Sequence, residues 1–280
     1  MNRAIRIHTY GGAEVIQIDR TEQAVPGPRD VIVRVRAAGV NGLDWKIRDG
    51  ILKDVFALPL PITLGIELAG EVAAIGSEVS KFAVGDRVMG ALGAIGAYAD
   101  HVVVAADKLT LTPADIDDVH AAAIPVAALT AWQALFEAGE LKRGQTVLIH
   151  GAAGGVGSFA VQFARRIGAH VVATAQGVNA GYLRGLGAHQ VIDYRTTAFW
   201  EQVRNVDLVL DLVGGPTLTN SWQVLGENGK IVSTAAPEIL GQTPEGQRGV
   251  WFQMKTDSAK LAEIARMVAQ GELKVEAKVL

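Results

Sequence analysis

The chain has 280 residues, 49% of them apolar, enough to bury a sizeable core in one or two domains. A net charge of −3, with no Lys/Arg run longer than two residues, argues against a dedicated nucleic-acid surface. There is no cysteine, which excludes disulfides, thiolate nucleophiles and cysteine-ligated zinc and makes a reducing cytoplasm the expected compartment. The N-terminus enters a strand pattern at once, with no signal-peptide h-region and no membrane-spanning run, so no membrane partner is expected.

From Arg3 to about Ala123 the pattern is β-rich. Short strands are predicted at Ala4 to His8, Val15 to Ile18, Val31 to Arg36, Leu68 to Ile75, Arg87 to Met89 and Tyr98 to Val104, separated by glycine turns. In Val33-Arg34-Val35-Arg36 the alternation puts valines inward and arginines outward. Such a set predicts a small, partly closed β-barrel. Between these strands Asn41 to Leu64 reads as an irregular loop, whose apolar residues (among them Trp45, Ile51, Leu52, Val55 and Phe56) keep no steady period. A long apolar loop in a compact domain either plugs a core or lines a ligand site.

At Asp115 the character turns helical and Pro125 breaks the helix in two. Leu129, Trp132, Leu135 and Phe136 form the inner face of the second piece, and Gly139 ends it. From Thr146 strands and helices alternate, with strands at Val147 to His150, Val171 to Thr174, Val191 to Ile192, Leu208 to Asp211, Ile231 to Thr234 and Val250 to Met254. Alternation of this kind predicts a parallel sheet covered by helices on both faces. A last helix, Ser258 to Gln270, leads into Leu273 to Val279.

The most informative stretch is Thr146 to Ala175. The apolar run Val147 to Ile149 ends in a glycine-dense turn, Gly151 to Gly157. Apolar residues then recur at helical spacing at Val156, Phe159, Ala160, Phe163, Ala164 and Ile167. Strand, glycine turn, helix, strand is the first half of a dinucleotide-binding fold. Side chains at Gly154, Gly155 and Gly157 would hold a pyrophosphate off, whereas bare N–H groups at the helix start can face it.

The order of the motifs resembles the medium-chain dehydrogenase/reductase superfamily, and within it the zinc-independent quinone oxidoreductases, the zeta-crystallin-like branch. The resemblance spans nearly the whole chain. It is carried by AAGVNGLDWKIRDG (Ala37 to Gly50), LGIELAGEV (Leu64 to Val72), VGDRVMG (Val84 to Gly90), LTAWQAL (Leu129 to Leu135), HGAAGGVG (His150 to Gly157), LGAHQVIDY (Leu186 to Tyr194) and VDLVLDLVGG (Val206 to Gly215). The implied fold class is α/β, a GroES-like β-barrel catalytic domain plus a Rossmann doubly wound parallel sheet. The implied division is residues 1–122, completed by 271–280, for the catalytic domain and 123–270 for the NADP-binding one. Relatives continue past the equivalent of Leu280 through a helix and a final strand of the split catalytic domain.

The resemblance also assigns residues. The zinc branch holds its metal with a cysteine, the histidine of a GHE motif and a second cysteine. Here Asn41 and Ile66 stand at the first two positions, Glu67 alone remains, and the six histidines show no ligand spacing, so no metal is expected. His150 reads as a packed, hydrogen-bonded residue rather than a catalyst. An NAD site usually places an acid at the end of the second strand to bind the ribose 2′-hydroxyl. No acid lies between Ile167 and Ile192, and Gln176-Gly177-Val178-Asn179 occupies the ribose loop, which points to NADPH, with a loop indifferent to both cofactors as the alternative. Family members often carry Lys or Arg in this loop, where Val178 and Asn179 stand, and Tyr194 is implied to lie against the adenosine end.

Relatives pass hydride from the nicotinamide to a quinone or to the β-carbon of an enone, which leaves charge on the acceptor oxygen. Asn41 corresponds to a side chain near the nicotinamide and its ribose, and Lys46 to a residue facing the substrate. A solvated surface lysine is the alternative for Lys46, as pocket wall or core is for Trp45. Thr130 matches a threonine beside the carboxamide, or else bonds back to the preceding helical turn. Val213, Ala235 and Phe252 fall at strand ends on the carboxyl side of the sheet, where open α/β sheets bind ligands. The expected activity is therefore NADPH-dependent reduction of quinones or enones. The alternatives are a 2-enoyl thioester reductase of the same superfamily, or a catalytically weak NADPH-binding protein with a structural or regulatory role. The apolar run at Val250, Trp251, Phe252 and Met254 predicts an edge strand that pairs with its copy in a homodimer.

Overall fold

The computed structural model describes residues 1–279, which group into two compact units: Met1–Val126 with the segment from Thr256 onward, and Ala127–Lys255. In the first unit, β1 (Asn2–Ile7) and β2 (Ile16–Thr21) form an antiparallel hairpin. Then follow β3 (Asp30–Ala38), α1 (Gly42–Arg48), β4 (Ile62–Thr63), β5 (Glu67–Ile75), β6 (Arg87–Ala91), β7 (His101–Ala105), β8 (Leu109–Leu111) and α2 (Asp118–Ala122). The strands make two separate antiparallel sheets, in the orders β2-β1-β4 and β7-β3-β5-β6-β8. One bridge, Ala4 to Ala99, links the first sheet to the segment before β7. The partly closed barrel expected from the strand spacing is built from these two sheets. Val31, Val33, Leu68, Val72, Val88 and Leu109 fill the core of the larger one, and Arg34 and Arg36 point out to Glu71, as the alternation predicts.

Asn41 to Leu64 is not an irregular loop throughout. The Asp44 carboxylate turns back to accept the Asn41 N–H at 2.8 Å, half of a capping box, and the chain winds into α1. A helix of seven residues with a buried face of only Asp44 and Ile47 is too short to show a period. Ile47 packs with Ile7, Ile62 and Leu64, and Leu52 and Leu58 close over that cluster. Trp45, Ile51, Val55 and Phe56 stay exposed. The segment therefore plugs a small core with part of its apolar set only.

The second unit begins in α3 (Pro125–Gln133), with Pro125 in its first turn as a proline-started helix requires, and passes through a π-type turn at Ala134–Ala138. The rest alternates: β9 (Thr146–Ile149), α4 (Gly155–Arg166), β10 (His170–Ala175), α5 (Ala180–Leu186), β11 (Gln190–Asp193), α6 (Phe199–Gln202), β12 (Val206–Asp211), α7 (Pro216–Ser221), β13 (Leu225–Ser233), α8 (Ile239–Gln242) and β14 (Arg248–Trp251). All pairings are parallel, in the order β11-β10-β9-β12-β13-β14. That is the 3-2-1-4-5-6 order of the dinucleotide-binding fold, with the switch point between β9 and β12. The central strands carry short unbroken apolar runs, Val147 to Ile149 and Leu208 to Leu210, as a sheet buried on both faces requires.

Finally α9 (Ser258–Ala269) returns to the first unit and packs on β8, with Leu261, Ile264 and Ala265 buried. The sequence division assigns residues up to 270 to the nucleotide-binding domain, whereas the helix groups with the β-rich unit, and Leu273 beyond it is buried as well. No described helix is long and apolar enough to cross a membrane.

Candidate active site

The dinucleotide end is built at the carboxyl edge of the parallel sheet. The turn after β9 runs from Gly151, at φ +66°, into the start of α4. A Cβ at Gly151 would lie 3.3 Å from Val213 Cγ2, so the turn meets the loop after β12 at the switch point. The glycines differ in purpose. At Gly157 a Cβ would sit 2.4 Å from the Gly151 carbonyl oxygen, so this glycine serves the turn's own packing. At Gly154 and Gly155 the nearest atoms to such a Cβ are 3.4 and 3.6 Å away, leaving an open face that only a ligand would contest. The first-turn N–H groups of a helix, here those of Gly155 and Val156, have no intrahelical acceptor and are oriented for an anion. A pyrophosphate fits this cradle.

The neighbouring strand ends are braced by a buried acid. Asp211, at the end of β12, accepts the N–H groups of Val213 (3.1 Å) and Gly214 (2.9 Å) on Oδ1 and the Ser233 hydroxyl on Oδ2 (2.7 Å). Ser233 Oγ accepts in turn from Ala235 N (3.3 Å) and Ala236 N (3.1 Å), and Phe252 N donates to Ser233 O at 2.9 Å. The structure thus collects Val213, Ala235 and Phe252 around a polar knot that the sequence reading did not identify. Thr130 lies in α3, buried; Ala127 of the same helix approaches within 3.6 Å of the Gly155 position.

At the ribose loop, Gln176 Nε2 donates to the Tyr194 hydroxyl at 3.2 Å, and Asn179 N closes the turn onto Gln176 O. Val178 is 85% exposed. The loop is free of acids in sequence but not in space. Asp193, at the end of the adjacent β11, brings Oδ2 to 2.5 Å from where a Gly177 Cβ would be, and its Oδ1 accepts the Arg195 N–H. Parallel pairing of β10 with β11 sets Ala175 opposite Asp193, which no linear reading of the loop would reveal.

His150 lies at 0% exposure under the glycine turn. Its Nδ1 is 2.9 Å from Thr174 Oγ1 and its Nε2 3.0 Å from Ser221 Oγ. Since Ser221 donates its own proton to Thr217 O at 2.7 Å, Nε2 must carry the hydrogen and Nδ1 must accept from Thr174. Burial pushes the imidazole down to about 4, against a smaller opposing pull from Asp211. It is a packed neutral residue, as the sequence suggested.

In the first unit a buried polar cluster surrounds the start of α1. Asn41 Nδ2 donates to Glu67 Oε1 at 2.7 Å, and Glu67 Oε2 accepts the Val126 N–H at 2.7 Å. Asp44 accepts from Gly65 N at 3.0 Å and from the Tyr98 hydroxyl at 2.9 Å. Burial pushes the Glu67 carboxyl up to about 7; the Val126 and Asn41 donors oppose this, and the Asp44 charge adds to it. Burial also raises Asp44 and Tyr98, which share a hydrogen bond. Lys46, by contrast, sits half-buried on α1 with its ammonium 5.9 Å from the Trp45 ring centroid. Sequence reasoning missed Asp44 and Tyr98. The Asn41-x-x-Asp44 spacing, an amide cap followed three residues later by an acid, was the available signal for the first. Among the described residues no group of three or more His, Cys, Asp or Glu could hold a metal ion.

Residues 27–114 match the family model of the alcohol dehydrogenase GroES-like domain, and residues 186–278 that of the zinc-binding dehydrogenases. A quinone oxidoreductase of Pseudomonas aeruginosa is 40% identical over 240 residues, covering 83% of this chain and 73% of that protein. A 2-haloacrylate reductase of a Burkholderia species is 38% identical over 238 residues, covering 82% and 72%. Among solved structures, Escherichia coli quinone oxidoreductase complexed with NADPH superposes with a TM-score of 0.88 at 32% identity, covering 99% of this chain and 90% of that one.

Proposed function

We propose, for a chain that belongs to the quinone oxidoreductase branch of the medium-chain dehydrogenase/reductase superfamily and is thereby an oxidoreductase, that it passes hydride from NADPH, without zinc, to a quinone or to the β-carbon of an α,β-unsaturated carbonyl compound. The observation that carries this reading is the open glycine cradle at the β9/β12 switch point. The likeness to a quinone oxidoreductase complexed with NADPH and to a 2-haloacrylate reductase supports the choice of cofactor and acceptor.

The dinucleotide, when bound, supplies the hydride; the residues of the chain bind and orient it and meet the charge that reduction creates. The N–H groups at Gly155 and Val156 take the pyrophosphate, and Gly154, whose own N–H is held by the Gly151 carbonyl, keeps the approach open. Gln176 and Asn179 offer amide donors to the 2′-phosphate, with Tyr194 against the adenine, while Thr130, Val213, Ala235 and Phe252 receive the nicotinamide end. Asn41 and Lys46 contribute N–H donors where an acceptor oxygen gains negative charge, and such donors stabilise the transition state more than the neutral ground state. The working form is a cytoplasmic homodimer paired through the β14 edge, with the catalytic part in the β-rich unit and the nucleotide-binding part in Ala127–Lys255.

NADPH oxidation followed with 1,4-benzoquinone, methyl vinyl ketone and crotonyl-CoA in parallel tests the proposal. Turnover with either of the first two supports it. Turnover with crotonyl-CoA alone would reassign the chain to the thioester reductases, and none with any acceptor despite NADPH binding would leave a binding protein.

A further inference from the structure

Glu67 is a buried acid that the proposed chemistry does not use. It is 3% exposed on β5, and both its oxygens are engaged by N–H donors at 2.7 Å, one from the Asn41 side chain and one from the Val126 backbone. Space for it comes from Gly39, where a Cβ would fall 2.2 Å from Oε1. Both oxygens accept N–H donors, which is the bonding of the ionised carboxylate present above about pH 7; that form only accepts, so it turns the nitrogen of the Asn41 amide inward. That nitrogen has a second N–H, and Asn41 is itself only half-buried. The amide is further held by its place as N-cap of α1, whose third residue, Asp44, reaches back to the Asn41 N–H.

We infer that Glu67 is a positioning residue for the reaction: it locks Asn41 as a hydrogen-bond donor toward an oxygen of the bound ligand. This rests on the reading of Asn41 as a site residue. Replacing Glu67 by glutamine keeps the volume and removes the lock. The Val126 N–H is a backbone donor that cannot turn, so the new side-chain oxygen stays on it and the new NH2 group faces Asn41. Asn41 must then rotate its amide to present oxygen, and the outward N–H is lost. Gly39→Ala acts on the same lock by a different route, displacing the carboxylate without removing its charge.

Two measurements test this. In the free protein at about pH 8.5, where the Glu67 carboxyl is ionised, nitrogen-edited NMR with labelled asparagine should show the Asn41 side-chain N–H shifted downfield by its charged acceptor. That shift should disappear in both Glu67→Gln and Gly39→Ala, with thermal unfolding recorded to confirm that each variant is folded. In single-turnover NADPH oxidation, Glu67→Gln should slow hydride transfer roughly 10- to 100-fold, less than outright removal of an oxyanion donor commonly costs. In an Asn41→Ala background the same change should alter the rate less than about twofold, because the residue it positions is gone. A loss that falls on NADPH affinity marks a cofactor ribose hydroxyl as the partner of Asn41, and one confined to the hydride step marks the acceptor oxygen. Equal losses in both backgrounds, or an Asn41 resonance unmoved by either variant, would overturn the inference. If the wild type reduces no acceptor the proposed function fails, and the NMR result alone still decides the role of Glu67.

Discussion

Acidification should weaken the nucleotide-binding unit through one buried residue, His150. In the folded chain its imidazole is neutral, with both nitrogens engaged, and takes up a proton only near pH 4, against 6.5 for the free side chain. Between those values the unfolded chain binds more protons than the folded one, so stability falls as pH falls. The contribution is fully present above about pH 6.5 and is lost progressively down to about pH 4. The whole interval corresponds to about 3 kcal/mol and the step from pH 7 to pH 5 to about 2 kcal/mol. Urea unfolding at the two pH values, for wild type and His150→Gln, isolates this residue, because other titrating groups are common to both proteins. Trp132, Trp200, Trp222 and Trp251 all lie in the second unit, so tryptophan emission reports mainly on it. The wild type should lose about 2 kcal/mol more than the variant over this step, whatever the variant's stability at pH 7. Equal losses, or an NMR titration of His150 near its free value, would refute the reasoning.

Three other outcomes are expected. Lys46→Met should slow the hydride step roughly 10- to 100-fold, about 1.4–2.7 kcal/mol, with NADPH affinity barely changed; an unaltered single-turnover rate would make Lys46 a surface residue. Asp193→Asn keeps an acceptor for the Arg195 N–H but removes a charge beneath the ribose loop. Fluorescence titration should therefore show the preference for NADPH over NADH widening by roughly three- to tenfold, about 0.7–1.4 kcal/mol, and an unchanged ratio would mean the carboxylate is shielded from the 2′ position. Since β14 is an outer strand of the six-stranded sheet, sedimentation should give twice the chain mass, with Val250→Pro shifting it toward monomer. A wild type that is monomeric at micromolar concentration ends the dimer proposal.

What the sequence determined by itself is the part written in local periodicity. The run Val147 to Ile149, the glycine turn and the 3.6-residue recurrence through Phe163 are consequences of how one strand and one helix bury their own faces, so they could be read without knowing any neighbour. The break at Pro125 and the parallel sheet implied by regular alternation followed from the same logic, and the motif order was enough to name the family. Very short elements escaped. Strands β4 and β8, of two and three residues, offer no period at all, and α1 starts from a capping interaction rather than an apolar stripe. Tertiary structure alone decided which side chains meet. Asp193 reaches the ribose loop because β11 lies beside β10, α9 joins the β-rich unit because its apolar face finds β8, and Glu67 holds Asn41 across 26 positions of chain. Such contacts depend on sheet order and on the space a missing Cβ leaves, as at Gly39. Residue spacing encodes neither, because each is a property of two segments brought together and not of either one.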